Sequence, residues 1–453
     1  MSLDPNLLTQ LLKTARSCGA DGADAVMFKT TNISISQRMN KPEGIERSEN
    51  SAIGLRVFVS KGNGENGQAN VSSTDFDKNS LLELAGRAVA MAKIAPADID
   101  STLAPAALYT RNIMNLDLLD PVEPSSAWLI EQCALAEDAA LSVAGITNSE
   151  GADAGYSKSK VNLAISGYDG AEFAGSYEGS HFSISVSVLA GSGTTMERDY
   201  DFTTSRHRSD LGNARDIGIS AANRAIKRLS PRKISSCQVP VVFDPRVSKS
   251  LLSILTGCIS GAAIARGSSF LKDSLNSQVF AKDISIIDDP HLPRGFSSRP
   301  FDMEGVKNKK SALVEDGVLQ SWLLDIRTAN KLKMQSTGHA SRGISSPPSP
   351  SSTNFYMEAG KLSPQELIAD IKSGLYLTET FGMGINTITG DYSQGAAGFW
   401  IENGVVAYPV SEITIAGNLK DMFLRLTPAN DLTFRYSTNA PTIMVENMTV
   451  AGV

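Results

Sequence analysis

The sequence predicts an α+β fold: N-terminal units of helix, antiparallel meander and helix, which a duplication could have produced, followed by a β-rich, barrel-like C-terminal domain. Two observations predict it. Apolar runs of helical period flank alternating apolar and polar segments twice in the first 230 residues, and strand and hairpin patterns dominate the remainder. We divide the chain into a first α+β unit (1–115), a second one that could pack with it as a single domain (116–230), and a C-terminal domain (231–453).

The first unit opens with a predicted helix that begins at Asp4 and Pro5, an N-cap followed by proline at the first helical position. Apolar residues at every second position then predict strands around residues 33–35 and 55–59. A second helix is predicted for residues 78–93, where leucine and alanine recur on one face. The resulting order is helix, meander, helix.

The second unit repeats this order. Helices are predicted for residues 125–143 and 210–229, with strands at 161–166 and 182–190 between them. In the last strand, apolar residues alternate with serines, which is typical of a half-buried antiparallel strand with a polar outer face. We find no sequence period that joins the two units, so duplication rests on the order of elements alone.

The C-terminal domain begins after Pro231. Residues 239–243 predict a buried strand, and residues 247–265 predict one continuous helix. An Asp-Gly pair at 316–317 and an Asn-Gly pair at 403–404 separate apolar runs, which is the strongest short-range signal of a β-hairpin.

Composition bounds the class of protein. The chain has 453 residues, 42% of them hydrophobic and 20% charged, and a net charge of −6. These values are typical of a soluble protein and argue against nucleic-acid binding through a general basic surface. The apolar run at 250–265 is too short to span a membrane, and the first residues lack a leader pattern. Four cysteines without CxxC spacing indicate neither disulfides nor a thiolate metal site, so we expect a cytoplasmic protein without a membrane or nucleic-acid partner.

Catalytic motifs are missing from the sequence. The four histidines show no HExxH spacing, and neither a nucleophile elbow nor a P-loop occurs. Asp288 and Asp289 beside His291 could bind a metal, although a turn capped by Asp is the commoner explanation. His339, in a polar loop with glycines, either lines a pocket or is solvated. Cys258 in an apolar run is most simply a small buried residue.

Residues 387–423 form the glycine-aromatic segment, where five glycines accompany a Trp, two Tyr and two Phe. Glycine is needed where the backbone bends sharply or approaches another surface closely. A binding rim and a tight structural corner explain the pattern equally well.

A resemblance to a known family indicates a function for the glycine-aromatic segment, which the residue pattern alone leaves open. Residues 389–404 (TGDYSQGAAGFWIENG) and 408–422 (YPVSEITIAGNLKDM), supported by 301–306 and 336–340, closely resemble the PmbA (TldE) branch of the TldD/PmbA family. The resemblance implies a subunit of a cytosolic metallopeptidase. In that family a TldD-like partner carries an HExxxH zinc helix and a downstream Cys ligand, and the pair degrades or trims unfolded peptides. An older label for the family is modulator of DNA gyrase.

The metal motif of the family is absent at the matching positions. Gly257 and Ala262 stand at the two His positions, Cys258 stands at the Glu position, and no cysteine follows Cys258. Gly257 and Gly261 predict a face suited to close helix packing. We therefore expect no catalytic residue, metal or cofactor in this chain, zinc on a TldD-like partner in a heterodimer, and a homodimer as the alternative for the isolated chain.

Contacts with the peptide cavity or with the partner are expected from two regions. The residues are His339, Arg342, Asp391, Tyr392, Gly395, Gly398, Phe399 and Trp400. Two alternatives stay open. One is an interaction or regulatory protein that acts on gyrase or on a toxin–antitoxin system. The other is a hydrolase with a non-metal nucleophile, for which Cys258, Ser393 or His339 would supply the chemistry.

Overall fold

The computed structural model describes residues 6–452, and it confirms the α+β fold class with a β-rich C-terminal region that contains a closed five-stranded barrel. The predicted start of the first helix at Asp4 and Pro5 lies outside the described residues. Among residues 6–452, no helix has the length and apolar character needed to cross a bilayer.

The N-terminal half consists of four helices and six strands. In chain order they are α1 (Leu7–Ser17), β1 (Gly22–Arg38), β2 (Lys41–Gly62), β3 (Glu65–Ser73), α2 (Lys78–Ile94), α3 (Ser126–Leu141), β4 (Ile146–Ser166), β5 (Glu172–Ala190), β6 (Glu197–Ser205) and α4 (Ala214–Lys227). All six strands form one sheet in the order β3-β2-β1-β4-β5-β6, and β1 pairs antiparallel with β4. The strands extend well beyond the predicted segments because neighbours on both sides hold even their polar stretches in register.

The two faces of this sheet have different partners. On one face, Ala25 and Met27 of β1 pack with α1 and α2, while Ile33 and Ile35 pack with α3 and α4. Val26 points to the opposite face, into a cluster shared with Phe301 and Val306 of the C-terminal half. Because successive side chains of a strand alternate in direction, one long strand serves both the helices and the C-terminal domain.

The C-terminal half contains the remaining elements. They are β7 (Cys237–Phe243), α5 (Pro245–Cys258), α6 (Gly261–Ala265), β8 (Ile286–Asp288), β9 (Ser311–Glu315), β10 (Val318–Leu319), α7 (Ile326–Leu332), β11 (Ala340–Ser341), β12 (Ser349–Pro350), β13 (Phe355–Met357), α8 (Pro364–Ile368), β14 (Ser373–Ile385), β15 (Asp391–Glu402), β16 (Val405–Asn418), α9 (Leu419–Leu424), β17 (Leu426–Pro428), β18 (Thr438–Asn439) and β19 (Ile443–Ala451). Strands β16, β15, β14, β7 and β19 follow one another, and pairing of β16 with β19 closes the barrel. A second sheet has the order β10-β9-β8-β13-β18.

Both predicted hairpins are present. Asp316 (φ 49°) and Gly317 (φ 80°) connect β9 to β10, and Asn403 (φ 48°) and Gly404 (φ 79°) connect β15 to β16. Positive φ at both central residues is the type I′ geometry that matches the twist of paired strands.

The prediction of one continuous helix over residues 247–265 was wrong. Helix α5 ends at Cys258, and Ser260 in an extended conformation precedes α6. The backbone at this break pairs with a neighbouring segment, since Leu323 N donates to Ile259 O at 3.0 Å and Gly261 N donates to Leu323 O at 2.8 Å. These tertiary hydrogen bonds replace those that a continuous helix would make.

Candidate functional site

The positions that match the zinc helix of the family lie where α5 ends and α6 begins. Gly257 is exposed, and a Cβ atom placed there would meet no atom within 4 Å. Cys258 is buried, and burial raises the pKa of its thiol to about 11 against the opposing effect of a hydrogen bond with Ser269. Ala262 is half-buried in α6. The one ligating atom among these three positions is therefore a thiol that stays protonated at neutral pH.

This donor set does not fit a catalytic zinc ion, which takes three protein ligands and a water molecule. Within residues 6–452, no group of three or more His, Cys, Asp or Glu side chains is placed to hold a metal ion. The acidic pair near His291 forms the capped turn that we considered the commoner explanation, because Asp289 Oδ1 accepts from His291 N at 2.9 Å.

Of Gly257 and Gly261, for which we expected close helix packing, only Gly261 is closely packed. A Cβ atom at Gly261 would lie 2.6 Å from Leu324 Cδ2 and 2.7 Å from Thr328 Oγ1, so only glycine fits against α7 and the segment before it. The expectation for Gly257 was wrong, because that side of α5 faces open space.

The glycine-aromatic segment supplies β15 and β16, two neighbouring strands of the barrel wall. Tyr392 is 2% exposed and belongs to the barrel core, where burial raises the pKa of its hydroxyl. Phe399 and Trp400 are half-buried, and Asp391 is exposed at the start of β15. The segment is thus part of the wall itself; its contact with a peptide or partner stays a prediction.

The two glycines singled out in β15 have different surroundings. A Cβ atom at Gly398 would lie 2.1 Å from the carbonyl oxygen of Tyr376 in β14, far inside contact distance. At Gly395 the nearest atom would be Phe381 Cβ at 3.5 Å, which is ordinary contact. Close approach of the β14 backbone therefore requires glycine at position 398 but not at position 395.

His339 is buried, with 2% exposure, rather than solvated. Its Nε2 lies 3.1 Å from Asp288 Oδ2, and its Nδ1 lies 2.8 Å from Thr337 Oγ1. The Asp288 carboxylate also accepts from the Thr353 hydroxyl at 2.6 Å, and Thr337 Oγ1 accepts from Leu324 N at 2.8 Å. With Nε2–H donating to the carboxylate, Nδ1 is free to accept from Thr337, so the three side chains form a hydroxyl–imidazole–carboxylate relay.

Arg342 joins a buried ion network between the N-terminal sheet and the C-terminal domain. Its Nη1 donates to Asp24 Oδ1, and both side chains are 0% exposed. Arg56, directly opposite Asp24 on β2, donates from Nε to Asp24 Oδ2 at 2.7 Å. Its Nη2 lies 3.6 Å from Glu304 Oε1. We call Asp24, Arg56, Glu304 and Arg342 the buried ion network.

The two short stretches that supported the family resemblance meet beside this network. Ala340 N donates to Asp302 Oδ2 at 3.1 Å, and Met303 N donates to Ala340 O at 3.0 Å. The loop that carries His339 and Arg342 is therefore attached to residues 301–306 through its backbone.

Within the buried ion network, ionisation of Glu304 is unfavourable. Burial raises its pKa to about 8; Arg56 opposes this rise, while Asp302 and Asp325 add to it. Its Oε2 also accepts from Ile326 N at 2.8 Å. Near neutral pH this carboxyl group carries a proton in a large fraction of molecules.

Stability is expected to fall as pH rises through neutrality because of Glu304. Its pKa is raised above the ordinary value of 4.5, so the stabilising effect of its proton is complete below 4.5 and lost as pH passes about 8. The slope is at most about 1.4 kcal/mol per pH unit. Glu304→Gln should flatten this dependence in denaturant titrations between pH 5 and 9, whereas Glu315→Gln in an exposed hairpin should not. An equally steep fall in both variants would contradict the assignment.

A basic cleft of about 670 Å³ opens beside the relay. It is bounded by residues 307–315, 320–321 and 335–339, and Thr337 and His339 contribute to its lining. A recess of about 390 Å³, lined mainly by residues 107–114 and 307–308, shares Lys307 with it.

Three family models match the chain. They describe the PmbA/TldA metallopeptidase domain 1 (residues 23–92), central domain (120–229) and C-terminal domain (236–452). Metalloprotease PmbA of Escherichia coli O157:H7 is 38% identical over 435 residues, which are 96% of this chain and 93% of that protein. The chain belongs to the PmbA/TldD family. A PmbA homolog of Haemophilus influenzae is 34% identical over 97% of this chain and 94% of its own.

Solved members show the same fold. A candidate modulator of DNA gyrase from Bacteroides thetaiotaomicron superposes with a TM-score of 0.89 and 25% identity, covering 100% of both chains. TldE from Thermococcus kodakarensis gives a TM-score of 0.84 at 22% identity over 98% of this chain and 100% of its own. The fold of the PmbA/TldD family is thus retained along the whole described chain.

Sequence reasoning missed most partners of His339 and Arg342. Asp24 and Arg56 were detectable, because each is a lone charge inside an apolar strand run, which indicates a buried ion pair. Asp288 and Thr337 were not, because their contacts join segments that are about fifty residues apart or depend on loop conformation.

Proposed function

We propose that this chain is the non-catalytic, PmbA/TldE-like subunit of a cytoplasmic two-protein metallopeptidase that degrades or trims unfolded peptides. Its TldD-like partner would carry the zinc ion in a heterodimer. The observation that carries the proposal is the contrast between a family fold retained throughout and a metal-ligand position reduced to Gly257, Cys258 and Ala262. A peptidase subunit that keeps the scaffold without ligands contributes binding surface rather than chemistry.

The barrel wall and neighbouring loops are the surfaces available for that role. Glycine-flanked strands can hold an extended peptide through main-chain hydrogen bonds, which needs no catalytic side chain. We assign cavity or partner contacts to the exposed and half-buried positions Asp391, Phe399 and Trp400. Tyr392 and Gly398 support the wall from within.

The test is to purify the full chain alone and together with its TldD-like partner, then to measure bound zinc and cleavage of an unstructured peptide. We expect the isolated chain to hold no stoichiometric zinc and to cleave nothing, and the pair to hold zinc and cleave. A pair whose partner has its zinc-helix Glu replaced by Gln is the control and should be inactive. Stoichiometric zinc together with chelator-sensitive cleavage by the isolated chain would refute the proposal.

A second candidate function, hydrolysis by a hydroxyl nucleophile, is favoured by one observation. Thr337, His339 and Asp288 are connected at 2.8 Å and 3.1 Å in the order of a nucleophile, a base and its orienting carboxylate. Thr337 Oγ1 would bond to the carbonyl carbon of a peptide while its proton passes to His339 Nδ1. The C–N bond would then break as His339 gives that proton to the leaving amine, and water, deprotonated by His339, would release the acyl group and restore the Thr337 hydroxyl. Cleavage by the isolated chain that survives a chelator and disappears in Thr337→Val would establish this candidate. Cys258 is disfavoured as a nucleophile, since burial keeps its thiol protonated.

A further inference from the structure

We propose that the basic cleft and the recess beside it bind an acidic segment of a peptide. This inference rests on the proposed function and names the class of peptide that the subunit selects. A peptidase subunit without zinc ligands can still select which peptides reach the catalytic partner. The basic cleft and the recess would select them by charge.

The charged residues that line the basic cleft and the recess are mainly positive. Lys307, Lys309 and Lys310 line the cleft, Arg111 and Lys307 line the recess, and the one acidic residue of the combined lining is Glu315. The salt bridges of residues 6–452 involve none of these four cations. The chain as a whole carries a net charge of −6, so this concentration of cations is local. Lys310 hydrogen-bonds with Tyr356 and is attracted by Asp289 and Glu358, so Lys307, Lys309 and Arg111 are the cations that carry the argument. A local excess of positive charge favours an anionic ligand.

Uncharged polar groups complete the binding surface. The recess is lined by Thr110, a residue 8% exposed whose hydroxyl has no hydrogen-bond partner among the described residues. His291 Nε2 donates to Asn308 Oδ1 at 2.8 Å, and Asn308 Nδ2 donates to Arg299 O at 2.9 Å, which fixes the imidazole ring and the side-chain amide at the recess wall. A buried hydroxyl without a partner is costly, and a ligand that reaches it would remove that cost.

A peptide fits this surface better than a nucleic acid does. Sites for single-stranded nucleic acid combine cations with aromatic side chains on which bases stack. Among the described residues that line the basic cleft, none is Phe, Tyr or Trp; serine, threonine and glutamine accompany the lysines. The recess has one such residue, Tyr109, which is 8% exposed and packs its ring against Phe173, so it offers no open face for a base to stack on. These side chains match the carboxylates and amides of a peptide.

The cleft is also close to the former zinc helix. Leu323 pairs by its backbone with residues 259–261 at the α5–α6 break, and the next residue, Leu324, contacts Thr337 and His339 of the cleft. One extended segment therefore separates the basic cleft from the position where the family places its metal ligands.

The test measures fluorescence anisotropy of a labelled peptide rich in Asp and Glu with the isolated full chain in the presence of a chelator. Matched peptides carry Asn and Gln, or Lys and Arg, in the same order. We expect only the acidic peptide to bind, with affinity that falls as salt rises, and Lys307→Glu/Lys309→Glu to weaken binding by about tenfold or more. Lys13→Glu/Lys372→Glu changes the net charge equally at exposed distant sites and should leave binding unchanged. Both variants should unfold at the temperature of the unmodified protein, because all four lysines are exposed.

Equal losses in both double variants would overturn the inference, and so would equal binding of the acidic and the Asn/Gln peptide. Competition by inorganic phosphate or by single-stranded DNA at concentrations as low as those of the acidic peptide would also overturn it, in favour of a general anion site. The assay needs neither partner nor zinc. Failure here with an intact zinc-dependent pair would therefore reject the cleft assignment alone, whereas zinc and chelator-sensitive cleavage in the isolated chain would reject the proposed function.

Discussion

Replacing Gly398 with Ala is expected to prevent the barrel from closing, with a loss of about 3 kcal/mol or more in the free energy of unfolding. The added Cβ would lie 2.1 Å from the carbonyl oxygen of Tyr376 and 3.0 Å from Leu377 Cα. Both atoms belong to the backbone of β14, where Leu377 pairs with Gly398. Backbone inside a closed barrel cannot shift at one strand without disturbing the hydrogen bonds of its neighbours.

Gly395→Ala is the matched control, three residues away on the same strand. Its Cβ would meet the Phe381 side chain at 3.5 Å, which is ordinary contact. We expect a change below about 1 kcal/mol, since the site has room and glycine in a strand is itself unfavourable. Thermal or denaturant unfolding of the two variants gives the comparison, and peptide cleavage with the TldD-like partner should follow the same order. Equal stability of the two variants would contradict the packing role of Gly398.

Asp24→Asn is expected to cost about 3–5 kcal/mol, the usual effect of removing one member of a buried ion pair. Burial alone would raise the pKa of Asp24, but the Arg56 and Arg342 guanidinium groups outweigh it and hold the pKa below the ordinary 3.8. A lowered pKa means that the stabilisation is complete above 3.8 and lost as pH falls through the folded-state value. The substitution leaves two buried guanidinium groups with Glu304, whose pKa is raised, as the one acidic group that remains in the network.

Asp98→Asn removes an equivalent charge at the surface. Asp98 and Arg327 lie 2.9 Å apart, but the Arg327 side chain is 61% exposed, so solvent and salt screen the pair. The expected loss is below about 1 kcal/mol. Denaturant unfolding at pH 7 compares the two variants. Similar losses of unfolding free energy in both variants would mean that the buried ion network stabilises the protein no more than a surface ion pair does. The network would then not hold the N-terminal sheet to the C-terminal domain.

Local chemistry explains which elements were predictable. The hairpins at 316–317 and 403–404 depend on residues that tolerate positive φ, so the turn specifies itself. Helices α2 and α3 were predicted to within two residues because the apolar period of α2 and the helix-forming composition of α3 are local as well. The break between α5 and α6 was not predictable, since the hydrogen bonds that cause it come from Leu323, more than sixty residues later.

The candidate site likewise has features that the sequence predicted and features that depend on tertiary contacts. The expectation that metal ligands are missing depends on residue type at Gly257, Cys258 and Ala262, so it could be made from the sequence and the family resemblance. The role of Gly398, in contrast with that of Gly395, depends on how close β14 approaches, which no local pattern encodes. The same holds for His339, which could equally have been solvated until Asp288 and Thr337 were placed beside it.

The sequence by itself therefore determined the α+β class, the hairpins, the glycine-aromatic segment and the absence of a zinc helix, because periodicity, turn chemistry and residue identity are local properties. Only the tertiary structure decided that both N-terminal units share one sheet through β1 and β4. It also closed the barrel through β16 and β19, built the buried ion network and gathered three lysines around a cleft. These features arise from contacts between distant segments, whose energies depend on burial and on relative position rather than on neighbouring residues in the chain.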